Sequence, residues 1–220
     1  DYAEMLGLNV SQVLSAVDSA QMTAQADEVH VRPAKTPEAM KKTPLEPGKP
    51  VNSAQILTDG VVDIRSASPS MSFAQLMTMA LETAYQGLGL SRAIIFLHNQ
   101  EEAKYLASMC IGDGVQELVP RLVFSDVYQP DVFHAALTNG KMIFVENAHE
   151  QTFMDKLPRW WRESLLSARG FVVLPLIVNR QSAGFIYGDW DQSLPPTKIE
   201  PTEILLLTEL RDLVATAMEL

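Results

Sequence analysis

The chain has 220 residues, with 27 acidic against 17 basic side chains, and its net charge of −10 disfavours binding to nucleic-acid phosphates. The hydrophobic share of 47% is that of a globular protein with a core, and no stretch approaches the roughly 18 consecutive apolar residues of a membrane span. One cysteine, Cys110, leaves no partner for an intramolecular disulfide and fits a reducing cytoplasm. We therefore expect a cytoplasmic protein that binds neither nucleic acid nor membrane.

Residues 1–30 form the first predicted unit, with a helix over 2–29. A single amphipathic helix is not stable by itself in water, so its apolar stripe must meet the main domain, a second copy or an upstream domain. Two readings stay open: the tail of an upstream domain, or a dimerising helix. The chain begins with Asp1 instead of Met, which indicates a part of a longer protein.

Residues 31–52 form a linker rich in proline and lysine, with few large apolar side chains. Such a composition cannot bury enough surface to offset the entropy of ordering it. The main domain is therefore predicted over 53–220. It opens with a short helix over 53–66 and a stronger one over 72–88, where Ser72 and Gln75 make a capping-box pattern.

Strands and short helices follow in the middle of the chain. Strands are predicted over 92–98 and 104–111, as a hairpin, then at 122–124 and 142–145. A short helix is predicted over 131–139, and another beyond Pro158, since proline is tolerated in a first helical turn.

A second hairpin, over 170–190, is the strongest pattern in the chain. Both arms are apolar at nearly every position around the polar break 179–182, so both faces should be covered and the hairpin should lie mid-sheet. Pro201 starts the last helix. The element order predicts an α+β fold with a central antiparallel sheet. The terminal helices cover one face, and short helices and loops cover a pocket on the other.

Over roughly residues 70–220, the sequence resembles the GAF domain, which has a PAS-like fold. The similarity lies in an apolar strand with the step Pro175-Leu176, then a turn, then the strand Ala183-Gly184-Phe185-Ile186-Tyr187. Gly89-Leu90-Ser91-Arg92-Ala93 before the first strand is also similar.

A narrower resemblance points to GAF domains found C-terminal to HDOD domains in bacterial signalling proteins. It is carried by the segments 131–137, 157–160 and 186–189. It implies a cytoplasmic regulatory module, with an HDOD domain upstream of Asp1. GAF enzymes that reduce free methionine sulfoxide use several cysteines, and bilin-binding GAF domains place theirs beside the helical part of the pocket; Cys110 matches neither.

No catalytic or metal-binding pattern is visible. The four histidines form no metal-ligand spacing, and no P-loop, GxGxxG or GxSxG motif is present, so the prediction is a protein that is not an enzyme. The sequence does not identify a cofactor.

Six side chains are candidate ligand contacts: Phe124, Tyr128, His134, Trp160, Arg162 and Asp189. Aromatic rings beside an arginine suit a planar or anionic ligand. The alternative is packing: His134 as a hydrogen-bonding core residue, and one of the adjacent Trp160 and Trp161 in the core, since neighbours on a helix point about 100° apart.

Two functions follow as expectations. The first is a non-catalytic sensory domain that binds a small molecule and signals through its terminal helices. The second is a ligand-free dimerisation or scaffolding module, suggested by the apolar surface of Leu205, Leu206, Leu207 and Leu210. A homodimer through the terminal helices is expected in either case.

Overall fold

The computed structural model describes residues 48–219. The predicted helix over 2–29 and all but the last residues of the predicted linker lie outside this range, so the division into domains stays a prediction. Within 48–219, no helix combines the length and apolarity needed to cross a membrane.

The described chain alternates helices and short strands much as the sequence predicts. The elements are, in order, α1 (Ser53–Ala67), α2 (Phe73–Leu88), β1 (Arg92–Asn99), β2 (Lys104–Gly112), α3 (Val115–Leu118), β3 (Val123–Ser125), α4 (Val132–Asn139), β4 (Ile143–Val145), α5 (Gln151–Met154), α6 (Arg159–Ser164), β5 (Ala168–Val178), β6 (Gln181–Asp191) and α7 (Pro201–Ala217).

The strands form one six-stranded antiparallel sheet in the order β3-β2-β1-β6-β5-β4. Strand β6 lies between β1 and β5, so the hairpin that is apolar on both faces occupies the middle of the sheet. The predicted α+β class and antiparallel sheet are confirmed. Side chains alternate between two apolar layers, one on each face.

Helices α2 and α7 cover the first face of the sheet, and α1 packs against both of them. Helix α2 begins with the predicted capping box, in which Ser72 and Gln75 bond each other's backbone N–H, and ends at Gly89 in the left-handed conformation. The inner sides of α1 and α7 are fully buried at Leu57, Leu207 and Leu210. Two of the four leucines that suggested a surplus apolar surface therefore belong to the core of the chain itself.

The β5–β6 hairpin closes through a tight two-residue turn. Asn179 and Arg180 both adopt positive φ, at 50° and 64°, the backbone that matches the right-handed twist of paired strands. Three residues beyond the start of β6, Gly184 has a φ of 155°, and a Cβ built there would lie 2.1 Å from the carbonyl oxygen of Phe96. The close approach of strand β1 therefore leaves no room for a side chain at position 184.

The second face carries the aromatic side chains. The short helices α4 and α6 lie over it and supply rings that pack on those of the sheet. The fully buried rings of this layer are Phe96, Phe133, Trp161, Phe171, Phe185 and Tyr187. This layer is where the pocket was expected, and its rings now fill most of that space.

Candidate functional site

A cleft of about 170 Å³ opens on the aromatic face, between β3, α4 and α6. Three of the six predicted contacts line it together: Phe124, His134 and Trp160. Gln129, Asp131 and Arg159 complete its polar rim.

His134 is held in the wall of the cleft by the start of α4. Asp131 is the N-cap of this helix: its Oδ1 accepts the backbone N–H groups of Phe133 and His134, both at 2.9 Å. The other carboxylate oxygen lies 2.8 Å from Nδ1 of His134, and the carbonyl oxygen of Ser125 lies 3.1 Å from Nε2.

Both ring nitrogens of His134 therefore face acceptors, and only the imidazolium form can donate to both. Burial lowers the pKa of His134, but the hydrogen bond and the charge of Asp131 outweigh it and raise this pKa above its ordinary value. The wall of the cleft thus carries an imidazole ring whose protonated form is favoured by the carboxylate of Asp131.

Trp160 and Trp161 separate as the helical spacing predicts. Trp161 is fully buried, whereas Trp160 is partly buried at the cleft. The Trp160 ring is stacked on Phe124, with ring centroids 5.0 Å apart and an interplanar angle of 5°. It also packs on Phe133 at 4.7 Å and on Phe96 at 5.6 Å.

The remaining three predicted contacts lie outside the lining of this cleft. Tyr128 is 43% exposed on the loop after β3, with its ring edge-on to His134 at a centroid distance of 6.0 Å. Arg162 is exposed on α6. Asp189 is fully buried in β6, directly opposite Arg92 of β1.

Asp189 belongs to a buried chain of hydrogen bonds that the sequence did not reveal. Trp161 Nε1 donates to Tyr187 Oη at 3.0 Å, Tyr187 Oη donates to Asp189 Oδ2 at 2.8 Å, and Arg92 Nε donates to both carboxylate oxygens at 3.0 Å. Burial raises the pKa of Asp189 to about 6, against the opposing effects of Arg92 and Tyr187. We name these four residues the buried relay.

The buried relay ends beside helix α2. Arg92 is the first residue of β1, which follows α2 after the three residues 89–91. The neighbouring Trp190 donates its Nε1 to the carbonyl oxygen of Leu88, the last residue of α2, at 2.9 Å. The sequence shows an arginine at the start of β1 and aspartates near the end of β6. Only the antiparallel pairing of these two strands, which no local pattern gives, sets Arg92 opposite Asp189.

A larger and more open cleft, of about 460 Å³, lies at this end of α2 and is lined by Tyr85, Arg92, Asp113 and Asp191, among others. None of the six predicted contacts lines it.

Among residues 48–219, no group of three or more His, Cys, Asp and Glu side chains is placed to hold a metal ion. Cys110 is partly buried in β2, and burial raises the pKa of its thiol, which lowers the share of reactive thiolate.

Comparison with known proteins supports the fold. No family model matches the chain. No curated protein sequence matches it either. Among solved structures, it is similar to the GAF domain of a phosphoenolpyruvate-protein phosphotransferase from Coxiella burnetii, with a TM-score of 0.58 at 13% identity, covering 75% of this chain and 94% of that one.

Two further structures extend this likeness. Free methionine-R-sulfoxide reductase from Neisseria meningitidis, in complex with its substrate, has a TM-score of 0.58 at 16% identity over 78% of this chain and 93% of that one. A domain of a methyl-accepting chemotaxis protein has a TM-score of 0.55 at 15% identity over 73% and 96%. Residues 48–219 therefore have the fold of GAF domains.

Proposed function

We propose that this chain is a non-catalytic sensory or regulatory domain of a bacterial signal-transduction protein, acting in the cytoplasm. A small molecule binds at the cleft beside Phe124, His134 and Trp160, and the terminal helices carry the signal. The GAF fold supports this proposal, since a chemotaxis protein is among the proteins that share it.

The observation that carries the proposal is the buried relay. It joins the wall of the cleft to the helices on the opposite face, because Trp161 lies next to Trp160 on α6 and Arg92 lies just after α2. Buried groups that depend on one another's hydrogen bonds have few alternative arrangements, so a shift of α6 must either break this chain or move β1 and β6 with it.

Signalling then takes the form of a population shift. A ligand that favours one position of α6 stabilises the packing of α1, α2 and α7 that goes with it. Helices α1 and α7 pack on one another, where Arg65 and Glu209 form an ion pair, so a rearrangement at α2 reaches both ends of the domain.

Native mass spectrometry of the protein purified from its own cells tests the proposal. The expected result is a mass shift from a retained small molecule, which is lost when His134→Ala and Phe124→Ala are introduced together. Protein that carries no added mass, and whose stability no small molecule in an extract changes, would contradict it.

A second candidate is a ligand-free dimerisation module. It is favoured by two large apolar side chains exposed on the terminal helices, Val62 at 49% and Leu205 at 40%. Light scattering after gel filtration tests it: a dimer that Leu205→Glu converts to a monomer supports a homodimer through the terminal helices. A monomer at micromolar concentration rejects this candidate.

The position in a longer chain is part of the proposal. We place an HDOD domain upstream of Asp1, with residues 1–30 as its tail or a connecting helix, residues 31–52 as the linker and residues 53–220 as the sensory domain. The sequence of the surrounding gene tests this directly, and another domain type upstream would overturn it.

A further inference from the structure

The space for a ligand on the aromatic face is small as the structure stands. Sites for drug-sized molecules typically measure about 300–1,000 Å³. The cleft beside His134 measures about 170 Å³, below that range, and the aromatic layer next to it is filled with rings. A ligand that enters this layer must take the place of one of them.

Trp160 is the side chain positioned to move out of the aromatic layer. Phe96, Phe133 and Phe185 are fully buried in the layer beneath it, whereas Trp160 is partly buried at the edge of that layer. It lies in the first turn of α6, a helix of six residues without a side-chain cap, and its neighbour Arg159 has a side chain 84% exposed. The Trp160 ring thus lies at the boundary between the aromatic layer and solvent.

The ring of Trp160 is also incompletely satisfied where it lies. Its Nε1 atom is buried and has no hydrogen-bond acceptor within residues 48–219. Tryptophan N–H groups in protein interiors normally find a partner, as Trp161 does on Tyr187. An outward turn would give Nε1 a water acceptor, so the closed position is held by ring packing alone.

The space that Trp160 occupies has a definite shape. Phe124 forms one flat wall, parallel to the ring within 5°, while Phe133 and Phe96 bound it at centroid distances of 4.7 and 5.6 Å. Such walls favour another flat aromatic system and fit a saturated ring less well, because aromatic faces stack and saturated rings are too thick. The polar rim of the cleft, with His134 and Gln129, adjoins this space.

We propose that the Trp160 ring occupies the ligand-binding site in this structure. The ligand is a planar aromatic molecule of about the size of indole that displaces the Trp160 ring from this slot. This inference rests on the proposed sensory function and names its ligand class. Displacement of Trp160 moves α6, and Trp161 on the same helix transfers the motion to the buried relay.

The test uses the full chain with indole as the probe, and cyclohexanol as a non-planar comparison. Fluorine NMR of protein labelled with 5-fluorotryptophan gives one resonance for each of the three tryptophans, assigned with single Trp→Phe variants. Indole should move the Trp160 resonance to the position of a solvent-exposed tryptophan, with a smaller shift at Trp161. Cyclohexanol should move none of them.

A variant removes the competing ring. Trp160→Ala should bind indole at least tenfold more tightly than the wild type, because the slot is then empty. Phe153→Ala is the matched control, since Phe153 is a partly buried ring against the same aromatic layer but lies outside the slot. Its affinity for indole should equal that of the wild type.

The fluorine measurement on the wild type decides the inference even if Trp160→Ala fails to fold. Indole binding that leaves the Trp160 resonance in place overturns the inference while leaving a sensory cleft intact. Equal binding of cyclohexanol overturns the ligand class. Failure of the proposed function itself would appear separately, as the absence of a retained molecule in native mass spectrometry.

Discussion

The hydroxyl of Tyr187 connects Trp161 to Asp189 in the buried relay, and Tyr187→Phe removes this hydroxyl with little change in side-chain shape. The hydroxyl accepts from Trp161 Nε1 at 3.0 Å and donates to Asp189 Oδ2 at 2.8 Å. All three residues are fully buried, so water cannot replace the lost bonds. The variant therefore leaves one donor and one carboxylate oxygen without this partner.

The cost can be estimated from these two groups. A buried polar group that loses its partner costs about 1–3 kcal/mol, and the carboxylate of Asp189 keeps Arg92 as a partner, so we expect a total of about 2–4 kcal/mol. The free energy of unfolding should be measured by urea titration at pH 7.5, above the pKa of about 6 of Asp189.

Tyr85→Phe is the matched control, because Tyr85 is partly exposed on α2 and lies outside the relay. A surface change of this kind should stay within about 0.5 kcal/mol. If Tyr187→Phe costs no more than Tyr85→Phe, the relay does not hold the two faces together and the reasoning fails.

Three further predictions concern backbone geometry and pH. Gly184→Ala should lower the free energy of unfolding by about 1–3 kcal/mol, because its Cβ would meet the Phe96 carbonyl oxygen at 2.1 Å. Gly114→Ala, also at positive φ but without such a neighbour, should cost less in the same urea titration. Equal costs would refute the steric cause. Burial raises the pKa of Asp189 from 3.8 to about 6, so its contribution to stability is present below pH 3.8 and lost as the pH rises through about 6. The unfolding free energy of the wild type should show this fall relative to that of Asp189→Asn. Parallel pH curves for the two proteins would contradict it. The pKa of His134 is also raised in the folded protein, so its contribution to stability is present below about pH 6.5 and lost as the pH rises through the folded-state pKa. His134→Gln should lack this loss of unfolding free energy. A pH profile that the substitution leaves unchanged would contradict the raised pKa of His134.

Much of the fold is readable in the sequence because local signals and burial agree. The Ser72 capping box, the Pro201 start and the two hairpins all appear at or near the predicted positions. Hydrophobic periodicity and helix capping depend on residues that are close in sequence, so both can be recognised without knowing which elements pack together.

The site is only partly readable, because it depends on which strands become neighbours. Phe124, His134 and Trp160 meet in one cleft although β3, α4 and α6 are separate in sequence. Asp189, one of the six candidate ligand contacts, is paired with Arg92, 97 residues away. Long-range pairs of this kind follow from strand order, which no single segment encodes.

Hydrogen exchange with and without indole tests most directly whether occupation of the cleft reaches the helices on the opposite face. In the wild type, indole should change amide protection both in α6 (Arg159–Ser164) and in the distant helices α1 (Ser53–Ala67) and α7 (Pro201–Ala217). In Tyr187→Phe, the change should stay in α6 and its surroundings. A change confined to the cleft in the wild type, or one that reaches α1 and α7 equally in both proteins, would contradict transmission through the buried relay.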